Sequence, residues 1–203
     1  AQRRCVAVSA ADRFKPAALI EQACEWAGSD DFGAEFDENE TWRDGLGRLC
    51  EGFVAEARLN DLGVEIAALD VVRALKNRLQ IVDWRKAHPE VAEEKIEKPI
   101  FIVGQPRTGA TILFDRLAQA PAMRPPLTWE VDAPCPVPQP DTYDTDPRIA
   151  ETQASLEMSE QISPGFMSWH PMGAQVGQEC VRITASQFCS MIFSVQYRLP
   201  TYY

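Results

Sequence analysis

Pro99-Ile100-Phe101-Ile102-Val103-Gly104-Gln105-Pro106-Arg107-Thr108-Gly109-Ala110-Thr111 is the stretch on which the reading of this 203-residue chain turns. Its first five residues are a short continuous apolar run rich in β-branched side chains, which predicts a buried strand of an α/β sheet. Gly104 to Gly109 predicts a tight turn, and helical spacing then resumes through Ile112, Leu113 and Leu117 until Pro121 stops it. Both glycines and Thr111 fit the phosphate-loop pattern G-x-x-x-x-G-K-[ST], while Ala110 stands at the Lys position. The backbone logic survives that replacement. Unpaired N–H groups at a helix start favour an anion, and the glycines let the chain turn tightly around it. A cation stands upstream instead, at Arg107. A structural corner with a solvated Arg107 is the other reading of the same residues.

Working outward, residues 1–97 read as a helical N-terminal region. Trp42, Leu46, Leu49, Phe53 and Ala57 recur at helical spacing behind a candidate N-cap, Thr41. A second stripe, Leu62, Ile66, Leu69, Val72, Leu75, Leu79 and Val82, ends near His88-Pro89, because the residue before a proline is pushed out of helical conformation. A shorter helix around Ala17 to Trp26 precedes an acidic loop. Residues 98–203 read as the first part of an α/β core. A proline-rich stretch from Pro121 to Pro147 holds a short predicted strand at Leu127–Val131. Helices near Ile149–Gln161 and Gln178–Val195 follow, with Cys180 and Cys189 expected in the core of the latter.

Acids outnumber bases by 30 to 20, for a formal charge of −10. With no basic face or run, a nucleic-acid partner is not expected. Six cysteines without a C-x-x-C pair, and only two histidines, give no support for zinc or another metal. Reduced, cytoplasmic cysteines are expected for a chain with 45% hydrophobic residues and a core of its own. No run approaches the ~18 apolar residues of a membrane span.

PIFIVGQPRTGAT followed by ILFDRLAQAP, then PLTWE, DPRI and HPMGAQVGQEC, resembles the sulfotransferase superfamily, and most closely its bacterial members with a P-R-[ST]-G-[ST]-[ST] loop. The resemblance covers roughly Trp42 to Tyr203. It implies a P-loop-like α/β core with a parallel sheet and transfer of a sulfuryl group from 3′-phosphoadenosine 5′-phosphosulfate to an acceptor hydroxyl. Arg107, Thr108, Gly109, Ala110 and Thr111 would then enclose the donor's 5′-phosphosulfate. Arg107 and the oriented amides would stabilise the charge that develops on the leaving phosphate without a metal. Ala110 departs from the family's usual Ser or Thr, so one hydroxyl contact to the anion is lost. Such relatives continue well beyond the point where this sequence stops. The resemblance therefore implies an N-terminal portion of the enzyme, with the groups that hold the donor's 3′-phosphate outside it.

The acceptor must lose a proton as its oxygen attacks sulfur, which calls for a base within hydrogen-bond reach. Glu130, at the end of the predicted strand, is the leading candidate, and His170 in Trp169-His170-Pro171 competes with it. Glu179 reads as a helix-start charge. The acceptor would be a small molecule, lipid or sugar, and the helices of residues 41–88 would cover the acceptor side or make a homodimer contact. Two other functions fit the same loop: a non-catalytic nucleotide-binding or interaction protein, and an ATP-dependent kinase, against which the missing loop Lys argues.

Overall fold

The computed structural model describes residues 9–105, 108–168, 170 and 172–202. Arg107 lies outside the described residues. The helices in chain order are α1 (Ala10–Arg13), α2 (Pro16–Ala27), α3 (Thr41–Ala55), α4 (Asp61–Ala87), α5 (Ala110–Ala118), α6 (Thr128–Asp132), α7 (Pro147–Ile162), α8 (Cys180–Ile183) and α9 (Ile192–Gln196). Two compact units result. One joins Ala1–Ala87 with Cys180–Tyr203, and the other is His88–Glu179. This division differs from the boundary expected at 97/98, because the last segment folds with the N-terminal helices.

The first unit is built from amphipathic helices around an aromatic core. Pro16 pre-sets the first turn of α2, and Gly28 ends it in the left-handed conformation. In α3, Trp42, Leu46, Leu49 and Phe53 are buried at the expected spacing. Its cap differs from expectation: Glu40 holds the cap position and Thr41 is the first helical residue. Asp37 accepts from both the Thr41 amide and the Thr41 hydroxyl, so the Thr41 side chain is turned back to Asp37 instead of capping the helix. The buried face of α4 is Val64, Ala67, Val71, Val72, Leu75, Leu79 and Val82; of the expected stripe, Leu62 is exposed and Ile66 and Leu69 are half-buried, and the helix stops at Ala87, before His88-Pro89.

Residues 178–195 do not form the single helix that their spacing suggested. α8 gives way to a 3-10 turn (Thr184–Gln187), Phe188 takes a left-handed φ of 52°, and α9 starts afresh. The reason is aromatic burial. Phe188 and Phe193 enter the core, with Phe188 6.5 Å from Trp42 and 6.0 Å from Phe193. Burying two such rings outweighs a few helical hydrogen bonds. Gly45 of α3 is required here, since a Cβ would lie 2.3 Å from the Phe188 carbonyl oxygen. Cys180 and Cys189, expected inside, are exposed as a consequence of the break.

Among the described residues, one cation sits inside this unit. Arg78 of α4 donates to the Phe32 carbonyl at 3.2 Å, to Asp37 at 3.4 Å and to Gln187, and its guanidinium lies 5.2 Å from the Trp42 ring. Burial alone would push the Arg78 pKa down, and the Asp37 charge opposes that shift.

The second unit departs further from expectation. Pro99–Val103 has no regular secondary structure, with Ile100, Phe101 and Val103 at 60%, 77% and 92% exposure. The expected buried strand is therefore not formed. An apolar run needs neighbouring strands to become one, and no strand ladder occurs among the described residues. The second predicted strand is also absent. Thr128–Asp132 is α6, and the neighbouring Leu127 makes an isolated antiparallel bridge to Gly177. Backbone bonds from Thr128 to Val176 and from Trp129 to Ala174 attach this turn of helix to residues 174–176. α7 starts at Pro147, two residues before the expected Ile149, with Asp146 accepting from the Arg148 amide. Arg148 also donates to the Ala133 and Pro136 carbonyls and lies 4.9 Å from the Trp129 ring. The PLTWE and DPRI segments thus form one clamp on the proline-rich connection.

Candidate active site

α5 follows the glycine loop as the sequence predicts. Its N-cap is Gly109 at φ 93°, a left-handed backbone that a side chain at this position would strain. The first helical bond runs from Leu113 N–H to the Gly109 carbonyl at 3.1 Å. The amides of Ala110, Thr111 and Ile112 precede it and have no partner within the helix. No side chain caps this end. Thr108 turns its hydroxyl onto the Gln105 carbonyl at 2.6 Å, which closes the loop on itself. Together these features make a helix N-terminus whose first amides have no partner within the helix, to which an anion binds favourably.

Glu130 sits at the third position of α6 rather than at a strand end. Its Oε2 accepts from the Leu127 amide at 2.9 Å, half of a capping box, since Leu127 has no side-chain acceptor with which to return the bond. Its Oε1 is paired with Arg124, whose Nη2 also lies 3.4 Å from the Tyr143 hydroxyl. The Glu130 side chain is only 10% exposed against 64% for Arg124. Tyr143, in a 3-10 turn (Pro140–Thr145), packs its ring 5.4 Å from Trp129 and accepts from the Arg124 guanidinium that also pairs with Glu130. Burial, then the Glu130 charge, raises the pKa of the Tyr143 phenol above its ordinary value.

Beside this cluster lies a cavity of about 590 Å³, lined among others by Asp115, Gln119, Arg124, Leu127, Tyr143 and Gln175. α5 therefore serves two places. Its N-terminus ends the loop, and its later turns wall the cavity, with about 7–8 Å of helical rise between Ala110 and Asp115. Arg124 and Tyr143 were not among the residues singled out from the sequence. Arg124 gave a weak signal as a base six residues before an acid, whereas nothing local distinguishes Tyr143 within a proline-rich connection.

His170, the other candidate base, is half-buried after a 3-10 turn (Phe166–Ser168), in a different element from Glu130. Glu179 immediately precedes α8 and is exposed, but that helix is a single turn, so it offers little dipole to complement. Among the described residues no group of three or more His, Cys, Asp or Glu side chains could hold a metal ion, and no helix is long and apolar enough to cross a membrane. Cys24, Cys50, Cys180 and Cys189 are free thiols.

Comparison with known proteins agrees with the loop. No curated protein matches the chain. Its fold resembles the crystal structure of the sulfotransferase STF1 of Mycobacterium tuberculosis H37Rv, with a TM-score of 0.78 and 28% identity over 92% of this chain and 50% of that one. It also resembles the sulfotransferase STF9 of Mycobacterium avium, with a TM-score of 0.75 and 23% identity over 100% of this chain and 49% of that one. The chain thus spans about half the length of these solved structures. A family model described as "Sulfotransferase family" matches residues 99–203, from the start of the apolar run before the loop to the last residue. With the glycine loop, its helix and the downstream landmarks inside that match, the chain belongs to the sulfotransferase family.

Proposed function

We propose that this chain supplies the donor-binding loop and the acid–base carboxylate of an enzyme that transfers a sulfuryl group from 3′-phosphoadenosine 5′-phosphosulfate to an acceptor hydroxyl. The observation that carries the proposal is the open N-terminus of α5, whose Ala110 and Thr111 amides follow a left-handed Gly109 and point no side chain of their own at the cap. In this reading the Thr108 to Thr111 amides and the Thr111 hydroxyl take the 5′-phosphosulfate, and Arg107 adds permanent positive charge. The leaving phosphate oxygen gains charge as the S–O bond breaks, and these groups stabilise it without a proton. Glu130 accepts the acceptor's proton, with His170 as the alternative.

The exposed Ile100, Phe101 and Val103 support the finer fold assignment. They are the residues a parallel sheet would cover on both faces. The acceptor is a small molecule, lipid or sugar, and the enzyme works in the cytoplasm. A second reading, a non-catalytic nucleotide-binding or interaction protein, is favoured by one observation: Ala110 stands where relatives carry a hydroxyl.

Calorimetric titration with adenosine 3′,5′-bisphosphate, with ATP plus magnesium in parallel, tests the donor assignment. The expected result is preferential binding of the bisphosphate, weakened at least tenfold by Arg107→Ala, as expected for a lost charge-assisted contact of about 1.5–3 kcal/mol. A preference for ATP with magnesium would overturn the sulfuryl-transfer reading in favour of a kinase. Turnover of donor with any acceptor would exclude the non-catalytic alternative.

A further inference from the structure

Two cavities in the unit of residues 88–179 share part of their lining. The first is the one beside the Glu130 cluster. The second is of similar size, about 590 Å³, and Gln175 and Val176 line both. The 3-10 turn that places Tyr143 on the first cavity continues into Asp144 and Thr145 on the second. The two are therefore neighbours, bounded in common by residues 175–176 and by successive residues of one turn.

Their walls offer different chemistry. The first carries planar hydrogen-bonding groups, from Asp115, Gln119, Arg124 and Gln175, together with the Tyr143 phenol. In the second, most polar side chains are already used. Asp146 accepts from the Arg148 amide at 3.0 Å and from the Arg148 guanidinium at 2.8 and 2.6 Å. Gln153 accepts from the Ala174 amide at 3.3 Å and donates to Glu157 at 3.1 Å. Thr145 donates to the Thr142 carbonyl at 3.4 Å. Asp144 and Gln175, the other polar residues of that wall, are exposed. Pro147, Ile149, Ala150, Gly173, Ala174 and Val176 make up the rest. A hydroxyl group entering there gives up water for few partners, whereas a methylene gains by leaving water.

We propose that the paired cavities hold one amphipathic acceptor, its hydroxyl-bearing head in the first and an alkyl tail in the second. The inference rests on the sulfuryl-transfer reading above and deepens it, by narrowing the acceptor to a hydroxylated amphiphile. Each cavity falls within the roughly 300–1,000 Å³ of ligand sites. The chemistry of the walls decides between the occupants. A free sugar would leave the apolar wall of the second cavity in water, and a plain alkyl chain would leave the planar groups of the first unpaired. Glu130, 10% exposed, pairs with Arg124 and accepts from the Leu127 amide, and both of those residues line the first cavity. The head, and not the tail, is thereby placed on the side of the candidate base.

The test is a binding measurement on this chain, because every residue of both walls lies within residues 115–177. Calorimetric titrations compare n-octyl β-glucoside, below its micelle concentration, with methyl β-glucoside, which has the same head and no tail. The octyl compound is expected to bind at least tenfold more tightly, a gain that about two buried methylenes supply. Ala150 is exposed on α7 and lines the second cavity, so Ala150→Trp fills that cavity without entering the core. This variant is expected to bind the two glucosides within about twofold of each other, with the unfolding midpoint unchanged. Ser155→Trp, about 140° further round α7 and off the cavity wall, is expected to keep the whole gain. Phe101→Ser is expected to keep it as well, which separates the cavity from detergent adsorption on the exposed apolar run. Gln119→Leu, on the first wall, is expected to weaken both glucosides alike, about threefold or more. Equal affinity of the two glucosides for the wild type, or no binding of the octyl compound, would overturn the proposal. So would a gain that survives Ala150→Trp or disappears in Phe101→Ser. A preference for ATP with magnesium in the donor titration would overturn the sulfuryl-transfer reading without altering the glucoside result, so the two failures are told apart.

Discussion

The helical unit and the unit of residues 88–179 treat their large apolar side chains in opposite ways. In the first, Phe14, Trp42, Phe53, Phe188 and Phe193 form one continuous core in which Phe14 stacks on Phe53 and Phe32 on Trp42 at ring distances of 4.6 and 4.4 Å. In the second, Trp129 is the one large side chain that is fully buried among the described residues, α5 buries no residue, and Ile100, Phe101, Val103, Ile112 and Leu113 face outward. The unit with the better core carries structure, and the unit with the exposed apolar run carries the loop and the Glu130 cluster. The proposed site sits on the part of the chain that is least satisfied by its own packing, in keeping with the general tendency of binding elements to come from the low-stability end of a fold.

The sharpest way to break that contrast is a pair of substitutions. Trp42→Ala removes a fully buried indole that touches Phe32, Phe188 and two guanidinium groups, and is expected to cost about 3–5 kcal/mol in urea unfolding. Phe101→Ser, at a residue 77% exposed, is expected to change stability by less than about 0.5 kcal/mol and to raise solubility. A comparable loss from both would mean that the apolar run is covered in solution, and the contrast between the units would fall.

The same contrast explains what could be read from the sequence. α2, α3, α4 and α5 were legible because each carries a local apolar period, and α4 ends where the His88-Pro89 pair requires. Phe188 was not legible. Its removal from the helix is decided by Trp42 and Gly45, more than 140 residues away, and periodicity does not register such a partner. Leu127-Thr128-Trp129-Glu130 looked like a strand because a short apolar run lacks the length to declare its period. The Glu at the third position of a helix was the available counter-signal, and the base candidate proved to be that capping residue. Of the site, the loop was visible through its glycines, whereas Arg124 and Tyr143 become neighbours of Glu130 only once the proline-rich connection folds back.

A substitution in the loop should move binding rather than stability. Ala110→Ser restores a hydroxyl at the first position of α5, where Ser costs little helix propensity. Analogues of 3′-phosphoadenosine 5′-phosphosulfate are expected to bind about tenfold more tightly by calorimetry, as for one added hydrogen bond to an anion, with the unfolding midpoint unchanged. An unchanged affinity would mean that this position does not face the anion.

The smallest expected effect separates the units by pH. In the helical unit, Tyr197 donates to Asp70 at 2.5 Å, and burial followed by the Asp70 charge raises its phenol pKa above the ordinary value of 10.0. Unfolding lets that phenol ionise at its ordinary pKa, so this contribution is intact below about pH 10 and is lost as the pH rises beyond it. In the other unit, the Arg148 hydrogen bond holds Asp146 below its ordinary 3.8. The unfolded chain takes up that proton first, so the Asp146 contribution is intact above about pH 4 and is lost as the pH falls through the lowered value. Unfolding free energies measured across pH are therefore expected to show a shallower alkaline limb in Tyr197→Phe and a shallower acid limb in Asp146→Asn. An acid limb unchanged by Asp146→Asn would show that the clamp joining Arg148 to the proline-rich connection holds its geometry without the carboxylate, through the Ala133 and Pro136 carbonyls alone.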